Sequence, residues 1–429
     1  MKISLRFGLA AALFAALSIL LCNRLVSAAG RSASGIGAYR VLAPIQSGRM
    51  LLFPVVRASG ESPAETPFIT LDEGIKSGQV EVTEAGNLRG LVRPRPGANP
   101  QRPTGVWSEH NNQYRDDQVN TLELVNNSNK PLLLLAGEIV TGGKQDRVIA
   151  KDRIVPPDAD PIDLSVFCIE PGRWTEASAN FGSSNKATAE SFMVQPSVRV
   201  NAMARQDQQE VWNSVHGAIG QMAAVASPPG ASGSPSVGSA SETVTVEASG
   251  GPVPLNTTSY AKAMNNSLIS AEVDKAAAPA NEDRAEVLTK LRDEHAVGVV
   301  VAVHGKLIWA DLFANTDLLA RYWTKLVRSY AAESVTEAGD NQPPSIADAQ
   351  RFLDSAATGH ETSEGDIGVY RYSQLDGDGT ETFILESLLP NAGYEVHISK
   401  MRFRDGSDNA SRGWPRPQPL VEPPVEPIR

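Results

Sequence analysis

Cysteine is nearly absent from the sequence: 429 residues contain two, Cys22 and Cys168. With Cys22 in a leader that is expected to be removed, Cys168 has no partner and an intramolecular disulfide is excluded. Stability must come from a packed core, and the chain is long enough for two domains of ordinary size. Cys168 lies in the apolar run 164–169 and reads as a buried, inert thiol. Long runs of like charge are also missing, and the net charge is −10, which argues against nucleic acid as the main partner. The six histidines, at 110, 216, 295, 304, 360 and 397, show no metal-ligand spacing. HExxH and paired CxxC motifs are absent, so no zinc site is expected. The nucleophile elbow GxSxG is absent too. No cofactor motif replaces them.

The amino terminus does carry a signal. Lys2 and Arg6 precede an apolar run from Phe7 to Cys22, and small residues close it at Val26-Ser27-Ala28-Ala29. That is the layout of a secretory leader over residues 1–29, cleaved after Ala28 or Ala29, with an uncleaved anchor as the other reading. The run falls short of the ~20 apolar residues a spanning helix wants. Leu21 stands where a lipoprotein needs a small residue, so Cys22 is not read as a lipid site. The protein is therefore expected to be extracytoplasmic, periplasmic or secreted, and soluble. It would touch the membrane only through an uncleaved leader.

Past the leader, hydrophobic periodicity divides the chain. Residues 39–225 form a strand-rich half ending in a helix over 202–225, where Val211, Trp212, Val215, Ile219 and Met222 recur at helical spacing. Residues 226–254 are dominated by Ser, Gly, Ala and Pro and read as a flexible linker. Residues 255–403 read as helices, a hairpin around His304-Gly305-Lys306, an amphipathic helix from Leu318 to Ala332, a helix over 346–355, and closing strands. The tail over 412–429 is too rich in proline to pack and reads as disordered. The fold class is α+β: two mixed sheet-and-helix halves, either separate or sharing one core.

Two near misses fall away. Gly142-Gly143-Lys144 lacks the outer Gly and the Ser or Thr of a phosphate loop, and a strand follows it instead of a helix. Asp376-Gly377-Asp378-Gly379 opens like a calcium loop, but Glu381 stands where Gly is required; a hairpin turn explains it better, with weak calcium binding as the alternative.

The most unusual stretch runs from Leu132 through Ala136-Gly137-Glu138-Ile139-Val140-Thr141-Gly142-Gly143-Lys144-Gln145-Asp146-Arg147 to Pro157. It reads as a hairpin with a two-residue turn at Gly142-Gly143. Arg147, Ile149, Lys151, Arg153 and Val155 would share one face of the returning strand, and Asp146, Val148, Ala150, Asp152 and Ile154 the other. Asp152, between Ala150 and Ile154, needs a partner, because burying an unpaired carboxylate costs several kcal/mol. Glu138 interrupts an apolar run and is expected to pair with Lys144, Arg147 or Arg153. With Asp163–Trp174 and the segments 298–313 and 318–330, this wording resembles a bacterial family named for its association with ADP-ribosylglycohydrolases and rhodanese-phosphatases. The resemblance spans roughly 39–225 and 255–403, and implies neighbours, not an activity.

Two readings of the hairpin stay open. One is a charge network closing the end of a sheet. The other is a ligand site made by Glu138, Gly142, Gly143, Lys144, Gln145, Asp146, Arg147 and Asp152, with the turn's N–H groups cradling an anion and Arg173-Trp174 as a wall. The leading expectation is a binding module for an unknown small molecule or an envelope protein. A hydrolase acting on a nucleotide-derived or glycosidic substrate through Glu138 or Asp152 is the alternative, and a structural envelope protein the third.

Overall fold

The structure is a computed structural model that describes residues 39–59, 62–85, 120–157, 159–173, 177–182, 193–226, 255, 257–281, 284–337, 339, 341–355 and 357–403. The expected leader and tail lie outside these residues, as does the expected linker apart from Ala226 at its start.

In chain order, β1 (Tyr39–Val41), β2 (Ile45–Ser47) and β3 (Met50–Arg57) come first, then β4 (Ile69–Thr70), α1 (Leu71–Lys76), β5 (Val80–Glu84) and β6 (Thr121–Asn126). The unusual stretch supplies β7 (Leu132–Leu134), β8 (Ile139–Val140), β9 (Arg147–Ile149) and β10 (Arg153–Val155), followed by β11 (Ile162–Cys168). Next are α2 (Pro196–Val200), a π-helical stretch (Asn201–Arg205), α3 (Gln208–Val225), α4 (Tyr260–Met264), α5 (Ser267–Asn281) and α6 (Arg284–Asp293). The chain closes with β12 (Ala296–Val303), β13 (Lys306–Phe313), α7 (Thr316–Thr336), α8 (Ile346–Asp354), β14 (Ala357–Asp366), β15 (Tyr370–Gly377), β16 (Thr380–Ser387) and β17 (Glu395–Arg402).

The α+β class is realised with one shared core. A nine-stranded antiparallel sheet runs β1-β3-β12-β13-β17-β16-β15-β14, with β2 beside β3. The two halves join where β3 from the first pairs with β12 from the second, Phe53 opposite Val300 and Leu52 opposite Val301. Both strands are covered on two sides, which is why Met50–Val56 and Ala296–Val303 read as nearly unbroken apolar runs. Val299, Val301, Trp309 and Phe313 join the large core with α3, α5 and α7. Phe53, Val55, Val300 and Leu312 face the other way, onto Ala349, Phe352 and Leu353 of α8.

Helix α7 is the central packing element. Asn315 caps it by accepting from Leu318 N at 2.9 Å. The expected stripe of Leu319, Tyr322, Trp323, Leu326, Val327 and Tyr330 is buried, and so are Lys325 and Glu333.

The stretch 132–155 is a hairpin of a different build from the one expected. β8 pairs with β9, Ile139 opposite Val148, while β7 pairs with β10, Leu134 opposite Arg153. The two pairs belong to different sheets: β5-β6-β11-β9-β8 and β10-β7-β4. The connection at the tip spans Thr141 to Asp146 and replaces the expected two-residue turn. The alternation of faces holds. Ile149 and Val155 enter the core between the small sheets, whereas Val148, Ala150 and Ile154 enter the large one.

Candidate functional site

The carboxylates of the hairpin do not meet in one cluster. Each leads into a different charge network, because the interruptions at 135–138 and 150–152 turn their side chains to different neighbours.

Glu138 does not pair with Lys144, Arg147 or Arg153. Its partner is Lys325 of α7, with Nζ 2.5 Å from Oε1, and Leu135 N donates to its other oxygen at 2.8 Å. Lys325 also pairs with Asp72 of α1. Burial, with Asp72 nearby, raises the Glu138 pKa although Lys325 opposes it. Burial works against the Lys325 ammonium, but the two carboxylates raise its pKa and hold it charged.

Asp152 faces the nine-stranded sheet. Its Oδ2 is 2.6 Å from His397 Nδ1 on β17, and Ala136 N donates to Oδ1 at 2.7 Å. The far side of the imidazole, Nε2, lies 3.1 Å from Asp311 Oδ1 on β13. Asp311 in turn accepts from Arg199 of α2 at 2.9 Å, from Ser399 at 2.8 Å and from the Tyr330 hydroxyl. Asp152, Asp311, His397 and Arg199 balance to zero formal charge and are fully buried. Burial alone would lower the His397 pKa, yet Asp152 and Asp311 raise it to about 9. Arg199 and His397 hold the Asp311 carboxyl well below the usual range despite its burial.

Asp146 and the tip loop form the third network. Asp146 Oδ1 accepts from Gly142 N at 3.1 Å and Oδ2 from Ser259 Oγ at 2.8 Å, while Asp146 N donates to Glu170 Oε2 at 3.1 Å. Glu170 pairs with Arg173 at 2.5 Å and with Lys262 of α4 at 2.7 Å. Burial and then Glu170 raise the Asp146 pKa. Burial would raise Glu170 as well, but Arg173 and Lys262 hold it low. Arg173 donates to the carbonyls of Gly143 and Gly142 at 3.0 and 3.3 Å.

The expected anion cradle at the turn is occupied from within. Gly143 N donates to Ser178 Oγ at 3.3 Å and Lys144 N to Glu84 Oε1 at 2.6 Å. Gln145 is buried and donates to Glu170 O at 3.2 Å. Arg147 is buried in β9 between Val140 and Cys168; burial raises the thiol's pKa and Arg147 opposes it. Trp174 lies outside the described residues.

Of the candidates, Gly142, Gly143, Lys144, Gln145, Asp146 and Arg173 gather at the loop, Arg147 lies in the strand that leaves it, and Glu138 and Asp152 belong elsewhere. Sequence reasoning missed Glu170, Lys262, Lys325, Arg199, Asp311 and His397. Only Asp311 carried a local signal, as a carboxylate between Ala310 and Leu312. Among the described residues no group of His, Cys, Asp and Glu is arranged to hold a metal ion, and no helix is long and apolar enough to cross a membrane.

The model of the ARG and Rhodanese-Phosphatase-superfamily-associated Protein domain matches residues 38–401. The chain belongs to this family. The match runs through the hairpin, both small sheets and the nine-stranded sheet, so the associated-protein domain is the whole shared core and not one half of it. Its description names associations and no activity. No characterised protein and no solved structure matches the chain.

Proposed function

We propose that this associated-protein domain is an exported binding module that takes a small anionic ligand on the side chain of Lys262, beside the loop Thr141–Arg147, whose own N–H groups at Gly142, Gly143 and Lys144 are already satisfied. One observation carries the reading. The loop's backbone is anchored by three side chains from outside it, Glu84, Arg173 and Ser178, and by Asp146 within it. A loop fixed in advance loses little entropy when it binds. The cation on the open side is Lys262, whose side chain is 59% exposed. An anion arriving there meets Lys262, which Glu170 holds in place at 2.7 Å.

A hydrolytic role is the second reading, and it moves from Glu138 or Asp152 to the pair Asp146 and Glu170. Burial displaces Asp146 upward while Arg173 and Lys262 hold Glu170 down. Neighbouring carboxylates displaced in opposite directions are the pattern of a general acid and its partner.

The test is a thermal-shift panel of inorganic phosphate, nucleotides, ADP-ribose and sugars on the purified protein, with Lys144→Ala and Lys262→Ala beside it. A ligand at ~100 times its dissociation constant adds about 2.7 kcal/mol to the state that binds it. A shift seen in the parent and lost in both variants supports the binding module. Turnover of a panel compound, lost in Asp146→Asn, favours the hydrolase. If the variants themselves unfold, the cluster is structural and both readings fail.

A further inference from the structure

The nine-stranded sheet has two margins, and they are treated differently. At β1, Gln350 of α8 accepts from Val41 N at 2.8 Å and donates to Tyr39 O at 3.1 Å, so a side chain closes the edge. At the other margin, among the described residues, β14 pairs with β15 alone. From Gly359 to Asp366 every residue except the half-buried Thr362 is exposed. Free edges are normally blunted by Lys, Pro or covering elements. The segment Gly359-His360-Glu361-Thr362-Ser363-Glu364-Gly365-Asp366 contains neither Lys nor Pro. At its tip Ile367 stands wholly in solvent.

We propose that two copies of the chain pair edge to edge through β14, antiparallel about a two-fold axis at Ser363. The sequence of the strand complements itself in that register. Ser363 faces its own copy once, on the axis; Thr362 faces Glu364, Glu361 faces Gly365 and His360 faces Asp366, each of these three relations occurring twice. Opposite charges and hydroxyl–carboxylate pairs across strands stabilise, and like charges destabilise. No carboxylate faces another here. Ile367 comes opposite Gly359, where no side chain obstructs it.

Other registers fit worse. Antiparallel pairing joins residues whose backbone groups both point outward, so the axis can move only by whole residues. An axis at Glu364 sets that carboxylate against itself. An axis at Thr362 sets Asp366 opposite Thr358 in place of His360, and draws in more of the stretch where the β14–β15 register shifts.

The same face of β14 is already prepared. Lys151 pairs with Glu364 at 2.6 Å and Arg153 with Asp366 at 3.2 Å, which offsets the strand's negative charge. A depression of about 190 Å³, bordered by Thr362, Ser363, Glu364, Tyr372 and Gln374, lies against the axis, where side chains of the second copy would enter. An isologous two-fold contact of this kind closes on itself and builds no filament. A ladder of one strand is smaller than the ~1,600 Å² of a standard interface, so the dissociation constant is expected on the order of micromolar.

Sedimentation velocity on the purified protein, with cysteine cross-linking, tests the proposal. The expected result is a concentration-dependent dimer. Ser363→Cys cross-links to a dimer under mild oxidation because the residue faces its copy. Glu361→Cys does not, since its copy lies four residues along, roughly 13 Å away, beyond the ~7 Å limit for a disulfide. His360 holds no hydrogen bond among the described residues, so His360→Asp keeps the fold while setting Asp against Asp366; it should weaken association at least tenfold. Ser363→Lys, with like charges on the axis, is the second such variant. A protein monomeric throughout the micromolar range overturns the proposal. So does a dimer indifferent to both variants, or one that cross-links equally through Glu361→Cys.

Discussion

The Nδ1 of His397 lies 2.6 Å from Asp152 Oδ2, joining the last strand of the large sheet to a carboxylate 245 residues earlier in the hairpin. With Asp311 on its other side, the imidazole is held as a cation in the interior. The pair is a clasp between segments on either side of the expected linker.

That clasp makes stability depend on pH. The folded pKa of His397 is raised to about 9, against roughly 6.5 in an unfolded chain. Its contribution is therefore fully present below about pH 6.5 and has gone once the pH passes about 9. Urea unfolding between pH 6.5 and 8 should show stability falling by about 1.4 kcal/mol per pH unit from this group. Lys400, whose pKa burial lowers to about 8, gives the opposite slope only above that window. His397→Gln should flatten the pH dependence. An equal slope in parent and variant would refute the assignment.

Asp311 is the junction of the same network. Asp311→Asn removes the charge that Arg199 and His397 both face. Breaking a buried ion pair from one side costs about 3–5 kcal/mol. Ser399→Ala, which loses a neutral hydroxyl partner, should cost about 1 kcal/mol. Denaturant midpoints that rank Ser399→Ala below Asp311→Asn would contradict the proposed hierarchy.

Lys325 answers two carboxylates at once. Lys325→Met leaves Glu138 and Asp72 facing each other without the ammonium, a loss of about 3–5 kcal/mol. Adding Glu138→Gln should recover part of it, because the remaining buried charge is removed. A double variant as unstable as the sum of the singles would show that the two residues do not interact.

The tip loop is built around glycine. A Cβ on Gly143 would stand 2.2 Å from the Phe181 ring at a φ of +49°, so Gly143→Ala should cost about 2 kcal/mol and disturb the loop. Gly217, inside α3 with nothing within 4 Å, is the control. Gly217→Ala should stabilise by about 0.5–1 kcal/mol through the helix alone. Calorimetric midpoints moving in the same direction for both would contradict this account.

Much of the architecture was legible in local pattern. The stripe from Leu319 to Tyr330 gave α7, the run around His304-Gly305-Lys306 gave the β12–β13 hairpin, and the α+β class followed from the order of elements. β14 was not legible, since Gly359–Asp366 is polar on both sides and an exposed edge strand needs no alternation. That Glu138 and Asp152 are buried among apolar residues was legible, because a charge inside an apolar run is a local signal.

Their partners were not readable. Lys325 lies 187 residues from Glu138, and His397 lies 245 from Asp152. Periodicity along a strand tells which face a side chain takes, and the cost of burying a bare charge tells that a counter-charge exists. Which counter-charge it is depends on strand order, on β3 pairing with β12 and on α7 lying across the sheet. Those are decided by how apolar faces pack over long separations, and no window of sequence contains that information.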